Sequence, residues 1–153
     1  MTNAIEVSNL CAVSGRPGPP DRHPVTVAGR VQRGDQRGRT IGFRTLNLPA
    51  PADTVEDGVW AGWVRIGDHD QAITLAAAVS IGTRATFYSN GGERLLEAHL
   101  PAFFGDLYGQ TVTVAMCTHL RGQQAFGSVD ELVAQLRRDV AATLEWWRTN
   151  DVV

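Results

Sequence analysis

From Pro24 onward the chain sets short apolar runs between polar, glycine-rich breaks, and only near its end does the rhythm change. Val25 to Val31, Gly58 to Ile66, Ile73 to Ile81, Arg94 to Leu100 and Thr111 to Leu120 are each of strand length and rich in Val, Ile, Thr and aromatic residues. Runs of this kind, punctuated by Gly, Asp and Asn, predict an antiparallel barrel or sandwich. The breaks Gly67-Asp68-His69-Asp70 and Ser89-Asn90-Gly91-Gly92 have the composition of hairpin turns. Trp60 and Trp63 stand three apart, which puts them on opposite faces of one strand. One is expected to fill the barrel and the other to cover an end or meet a helix.

The last element has another period. Ser128-Val129-Asp130-Glu131 is a capping box, in which the serine hydroxyl accepts from the third helical amide and the glutamate reaches back. After it Val129, Leu132, Val133, Leu136, Val140, Leu144 and Trp147 recur at threes and fours. They predict a single apolar stripe packed on the barrel, with Arg137, Arg138 and Arg148 on the solvated side.

A chain of 153 residues suffices for one domain with a proper core and is short for two. Residues 1–22 contain S-G-R-P-G-P-P-D-R, a Pro/Gly cluster suited to neither helix nor sheet, so a flexible tail is expected there and the domain over 23–153. The 14 basic and 16 acidic residues leave a formal charge of −2, which favours a small-molecule partner over nucleic acid or an anionic membrane. All the basic residues except the histidines are arginine. Without lysine there is no Walker-type loop, which needs one to reach the β- and γ-phosphates. Cys11 and Cys117 do not make a disulfide framework, and no stretch resembles a secretory signal or a membrane span. A cytoplasmic monomer is expected.

Gly34 to Asn47 reads G-D-Q-R-G-R-T-I-G-F-R-T-L-N, with three glycines and three arginines. Glycine permits positive φ and close approach of main chain to a ligand, so this loop is suited to an anion such as phosphate, or else is a solvated surface turn. Thr45 and Asn47 share a face if the segment is extended, offering a hydroxyl and an amide to a hydrated magnesium ion or a phosphate oxygen, or simply capping a turn. In Leu95 to Leu100 an extended reading puts Leu95, Glu97 and His99 on one face and Leu96, Ala98 and Leu100 on the other. Glu97 is then either a carboxylate with a chemical task or the polar face of an edge strand. His23, His69, His99 and His119 lack metal-ligand spacing. For His99 a structural, hydrogen-bonded imidazole is expected. The absence of a G-x-S-x-G elbow leaves hydrolase chemistry without support.

Several of these fragments together resemble the riboflavin kinase family. Gly29 to Phe43 followed by Thr45 and Asn47 is similar to that family's glycine-rich loop and F-P-T-A-N motif. Ser80 to Phe87 (S-I-G-T-R-A-T-F), Leu96 to Leu100 (L-E-A-H-L), Gly105 to Gly109 (G-D-L-Y-G), Leu120-Arg121 and Phe126 continue the match in order, so it spans Val25 to Asp139. The resemblance implies a six-stranded antiparallel Greek-key barrel with a long C-terminal helix, and transfer of the γ-phosphate of Mg-ATP to riboflavin to give FMN. It implies Glu97 as the general base, Thr45 and Asn47 as magnesium and phosphate residues, and Gly34, Gly38, Arg39, Gly42 and Arg121 among the cofactor-binding residues. It also implies that the chain does not make FAD alone, since the adenylyltransferase domain that precedes the kinase in many bacterial members is not in this sequence; the tail would then be a linker stub. Arg44 and Leu46 stand where the family has proline and alanine, and Ala85 replaces another proline. Proline fixes φ ahead of the threonine, so its loss loosens that approach. A catalytically weakened flavin- or nucleotide-binding module of the same fold is the alternative reading.

Overall fold

The strands expected from the apolar runs pair into one antiparallel sheet, and a sixth short strand completes it. The computed structural model describes residues 24–34, 37–51, 54–83 and 94–150. The strands are β1 (Val25–Arg30), β2 (Leu46–Pro49), β3 (Gly58–Ile66), β4 (Ile73–Thr83), β5 (Arg94–His99) and β6 (Thr111–Arg121), in the spatial order β1-β6-β3-β4-β5-β2. Just beyond β1, Gln32 bridges to Asn47 of β2, its N–H donating to the Asn47 carbonyl at 2.8 Å. The two outer strands thus meet, and the sheet curls into a nearly closed barrel that leaves little free edge. The turn expected at Ser89 to Gly92 and the tail expected over 1–22 lie outside the described residues.

Alternation along the strands separates the two faces. Val27, Leu46, Leu48, Trp60, Val64, Val79, Ile81, Leu96, Ala98, Val112, Val114 and Met116 belong to one buried cluster inside the barrel. Trp60 is in it, and its indole N–H donates to the Glu56 carbonyl at 3.2 Å. Trp63 is also buried but outside that cluster, on the outer face of β3. That face is covered by α2 (Val129–Thr149), which packs on β3 and β4. The two tryptophans therefore take the opposite faces that their spacing requires.

The serine half of the α2 cap forms as expected, the Glu131 amide donating to Ser128 Oγ at 3.2 Å, whereas the Glu131 carboxylate reaches one residue further back than the capping box predicts and accepts from the Gly127 amide at 2.9 Å. Arg137, Arg138 and Arg148 are exposed, and Arg148 pairs with Glu145 at 2.7 Å. The expected stripe needs correction. Val129 is 60% and Leu144 42% exposed, whereas the buried helix residues are Asp139 and Thr143. The inward face is thus rotated toward Asp139, because the barrel offers that carboxylate a cation. Apolar periodicity does not register a buried acid.

Candidate active site

One register row crosses five strands on the outer face of the barrel. Gln32 pairs with Asn47, Asn47 with Glu97, Glu97 with Ser80, Ser80 with Val59, and Val59 with Arg121. Asn47, Glu97 and Ser80 are each flanked in sequence by core residues, so the pleat turns all three outward. Directly opposed side chains in an antiparallel pair stand about 5 Å apart. The row therefore lays an amide, a carboxylate and a hydroxyl side by side, and all six of its residues line one cavity of about 690 Å³. That volume is of the size that holds a small-molecule ligand.

The glycine-rich segment forms one end of this cavity. Its centre is α1 (Arg37–Thr40), a single helical turn that was expected as a loop. The amides of Ile41 and Phe43 donate to the Gly38 carbonyl at 3.3 and 2.7 Å, and that of Gly42 to Arg39 at 3.4 Å. These N–H groups close the turn instead of pointing to a ligand. Glycine is needed at 38 because a Cβ there would lie 2.1 Å from the Phe43 carbonyl oxygen, whereas a Cβ at 34 would lie 2.4 Å from Asn47 Nδ2 and force that side chain to move. Gly42, at φ +86°, ends the turn in a conformation that other residues seldom adopt.

A second wall comes from the segment between β5 and β6. Arg30 Nε donates to the Gly109 carbonyl at 2.8 Å, the Gly109 and Val31 amides bond to Val31 and Gln110 at 3.0 and 2.9 Å, and the Arg33 guanidinium lies 4.6 Å over the Tyr108 ring. Phe103, Leu107 and Tyr108 from this segment line the cavity.

The far wall is α2, through Leu132, Leu136 and Val140, facing Val59, Ala78 and Phe126. It is pinned by Arg121 and Asp139. Arg121 Nε and Nη2 donate to the two carboxylate oxygens of Asp139 at 2.9 and 2.8 Å, the Gln135 amide adds a bond at 3.0 Å, and the two charged side chains are only 14% and 5% exposed. Gln123 reaches back over β4, its amide donating to Ser80 Oγ at 3.0 Å and to the Ile81 carbonyl at 2.8 Å. Asp139 and Gln123 were not anticipated from the sequence. The signal that could have found Asp139 is an acid at a buried helical position within reach of a strand-end arginine.

Of the residues expected at the site, Gly34, Gly38, Arg39, Thr45, Asn47, Glu97 and Arg121 all line this cavity. Gly42 stands outside the lining, its contribution being the turn it ends. Arg121 is engaged with Asp139, which leaves Arg39, exposed at the glycine-rich end, as the more accessible cation. His99 is hydrogen-bonded, as expected, with Nδ1 2.7 Å from the Arg44 carbonyl. His119 lies edge-on to Trp60, with ring centroids 4.9 Å apart, and does not line the cavity. Two departures from the family pattern find places here. Leu46 points into the barrel core, so its extra bulk lies behind the site, and Arg44 projects outward while its carbonyl is held by His99. Ala85 lies outside the described residues.

The family model described as Flavokinase: Riboflavin kinase matches residues 21–147. The bifunctional riboflavin kinase/FMN adenylyltransferase of Escherichia coli (strain K12) is 39% identical over 126 residues, covering 82% of this chain and 39% of the relative. The chain thus spans about two fifths of the length of such curated relatives. Among solved structures, riboflavin kinase from Trypanosoma brucei superposes with a TM-score of 0.61 at 24% identity, over 84% of this chain and 83% of its own, a likeness of fold. A Streptococcus pneumoniae protein named for macrolide efflux superposes with a TM-score of 0.68 at 37% identity, over 80% of this chain and 39% of that one. No helix among the described residues is long and apolar enough to cross a membrane. With the matched region running from before β1 into α2 and taking in the whole register row, the chain belongs to the riboflavin kinase family.

Proposed function

We propose that this chain is an ATP:riboflavin 5′-phosphotransferase, moving the γ-phosphate of Mg-ATP to the 5′-hydroxyl of riboflavin to give FMN and ADP. The observation that carries this reading is the row Asn47, Glu97, Ser80, set in one cavity between an arginine-bearing glycine turn and an apolar helical wall. The polar end suits phosphates, and the apolar end between Val59, Ala78, Leu136 and Val140 suits a flat aromatic ring system. The reacting atoms then meet over Glu97. The ribityl hydroxyl oxygen bonds to the γ-phosphorus, the bond from that phosphorus to the bridging oxygen of ADP breaks, and the hydroxyl proton passes to the Glu97 carboxylate. Such transfers are governed by positioning and charge neutralisation, with a base adding about 10² to 10⁴-fold.

Magnesium fits the donors present. Thr45 and Asn47 offer a hydroxyl and an amide oxygen, and among the described residues no cluster of three or more His, Cys, Asp or Glu could hold a metal. That is the donor set of an ion that keeps its waters and shares phosphate oxygens. When bound, the ion supplies charge neutralisation at the phosphates. The formal charge of −2 suits small-molecule substrates better than a polyanionic partner.

The reading is tested by incubating the purified protein with riboflavin, ATP and magnesium and following FMN and ADP by chromatography. Equal amounts of the two products are expected; ADP without FMN would sink it. Thr45→Val keeps the side-chain shape and deletes the hydroxyl. It should weaken apparent Mg-ATP affinity by about tenfold, the worth of roughly one hydrogen bond to a charged group, and leave riboflavin binding without nucleotide little changed. Gly34→Ala should do the same by pushing the Asn47 amide off its rotamer, at a cost of about 1 kcal/mol. Titration calorimetry of both ligands checks each variant, and equal loss of both would point to misfolding instead.

A further inference from the structure

We infer that His99 is a positioning residue that holds Thr45 in place through the preceding carbonyl. It rests on the proposed phosphotransfer reading for what Thr45 does, but not for the contact itself. His99 Nδ1 lies 2.7 Å from the Arg44 carbonyl oxygen, and the imidazole packs on the Phe43 ring at 5.3 Å between centroids. A carbonyl oxygen only accepts, so Nδ1 carries the proton and donates. The bond fixes the peptide that joins Arg44 to Thr45.

This peptide sits at a junction. Before it, the glycine turn closes on Phe43 through the bond to Gly38; after it, β2 begins at Leu46, opposite Ala98. Arg44 is not restrained in φ as a proline would be, and both Arg44 and Thr45 are exposed. His99 therefore supplies a restraint from the neighbouring strand. The same strand carries Glu97 two residues earlier on the same face, so β5 presents the proposed base and the clamp on the proposed metal residue from one rigid element. His99 lines the same cavity as Glu97, and in this assignment it acts through the backbone of the Arg44–Thr45 peptide.

Three variants test it. His99→Phe keeps a ring against Phe43 and removes the donor, whereas His99→Asn places an amide N–H close to where Nδ1 stood. His99→Phe is expected to raise KM for Mg-ATP about tenfold, with KM for riboflavin within about twofold, and His99→Asn to recover most of the loss. Adding Arg44→Pro to His99→Phe should restore part of it by fixing φ. Equal behaviour of the Phe and Asn variants, or parallel movement of both KM values, would overturn the inference while leaving the kinase reading intact. Should the natural protein make no FMN, the same comparison is read from Mg-ADP affinity by calorimetry. Nitrogen NMR of the natural protein gives an answer that depends on no variant folding: a hydrogen-bonded Nδ1–H supports the clamp, and a neutral ring protonated only at Nε2 contradicts it.

Discussion

Glu97→Gln is expected to lower kcat for FMN formation by about two orders of magnitude or more, with KM for ATP within about twofold of the natural protein. The substitution preserves size and the pairing of residue 97 with Asn47 and Ser80 across the sheet, so only the capacity to take a proton changes. Glu97 is half-buried in the middle of the row, between the apolar wall and the glycine-rich end, where the proposed reaction puts the ribityl hydroxyl. Steady-state kinetics with both substrates varied checks the result. An unchanged kcat would remove Glu97 from the mechanism and leave positioning alone to account for turnover.

Asp139→Ala is expected to lower stability by about 3–5 kcal/mol, because it strands the Arg121 guanidinium in a largely buried position. For a chain of this size that corresponds to a fall in Tm of about 10 °C. Replacing both partners with leucine should cost much less, since a buried ion pair exchanged for apolar packing is often neutral. Thermal unfolding followed by circular dichroism makes the comparison. A fall of under about 2 °C in the single variant would mean that the pair contributes little and that α2 is held by its apolar contacts. Under the proposed reading riboflavin affinity is expected to fall in the single variant as well, because Leu136 and Val140 line the cavity from the helix that the pair anchors.

Much of this fold was legible because strand alternation and helical periodicity follow directly from burial. The five apolar runs are five of the six strands, and the alternation in Leu95 to Leu100 correctly turns Glu97 outward and Leu96 and Ala98 inward. β2 was less visible, since Leu46–Pro49 is short and ends in proline, yet the extended reading of Thr45 and Asn47 already implied its faces. The helical turn over Arg37–Thr40 was not foreseen because a glycine-rich stretch has weak local preference and here takes its shape from the closing bond between Gly38 and Phe43.

The parts of the site that sequence did not reveal depend on pairs far apart along the chain. Asp139 sits one position before Val140 on an apolar helix face, and only the end of β6 explains why an acid is buried there. Gln123 is one of several polar residues after β6, and its bonds to Ser80 and Ile81 follow from how the barrel brings β4 alongside. Leu46 and Arg44 look damaging when compared with a motif. In the fold one faces the core and the other exposes its side chain while its carbonyl is tied to β5. Register, which no single segment encodes, aligns Asn47, Glu97 and Ser80 into one row.

The most direct measurement follows the fate of label from ATP carrying radioactive phosphorus at the γ-position, mixed with riboflavin, magnesium and excess protein in a single turnover. Label is predicted to appear in FMN at the 5′-phosphoester, at a rate lowered about a hundredfold or more by Glu97→Gln. Label that stays on ATP, or is released only as inorganic phosphate, from a folded protein that still binds riboflavin would contradict phosphotransfer at this site.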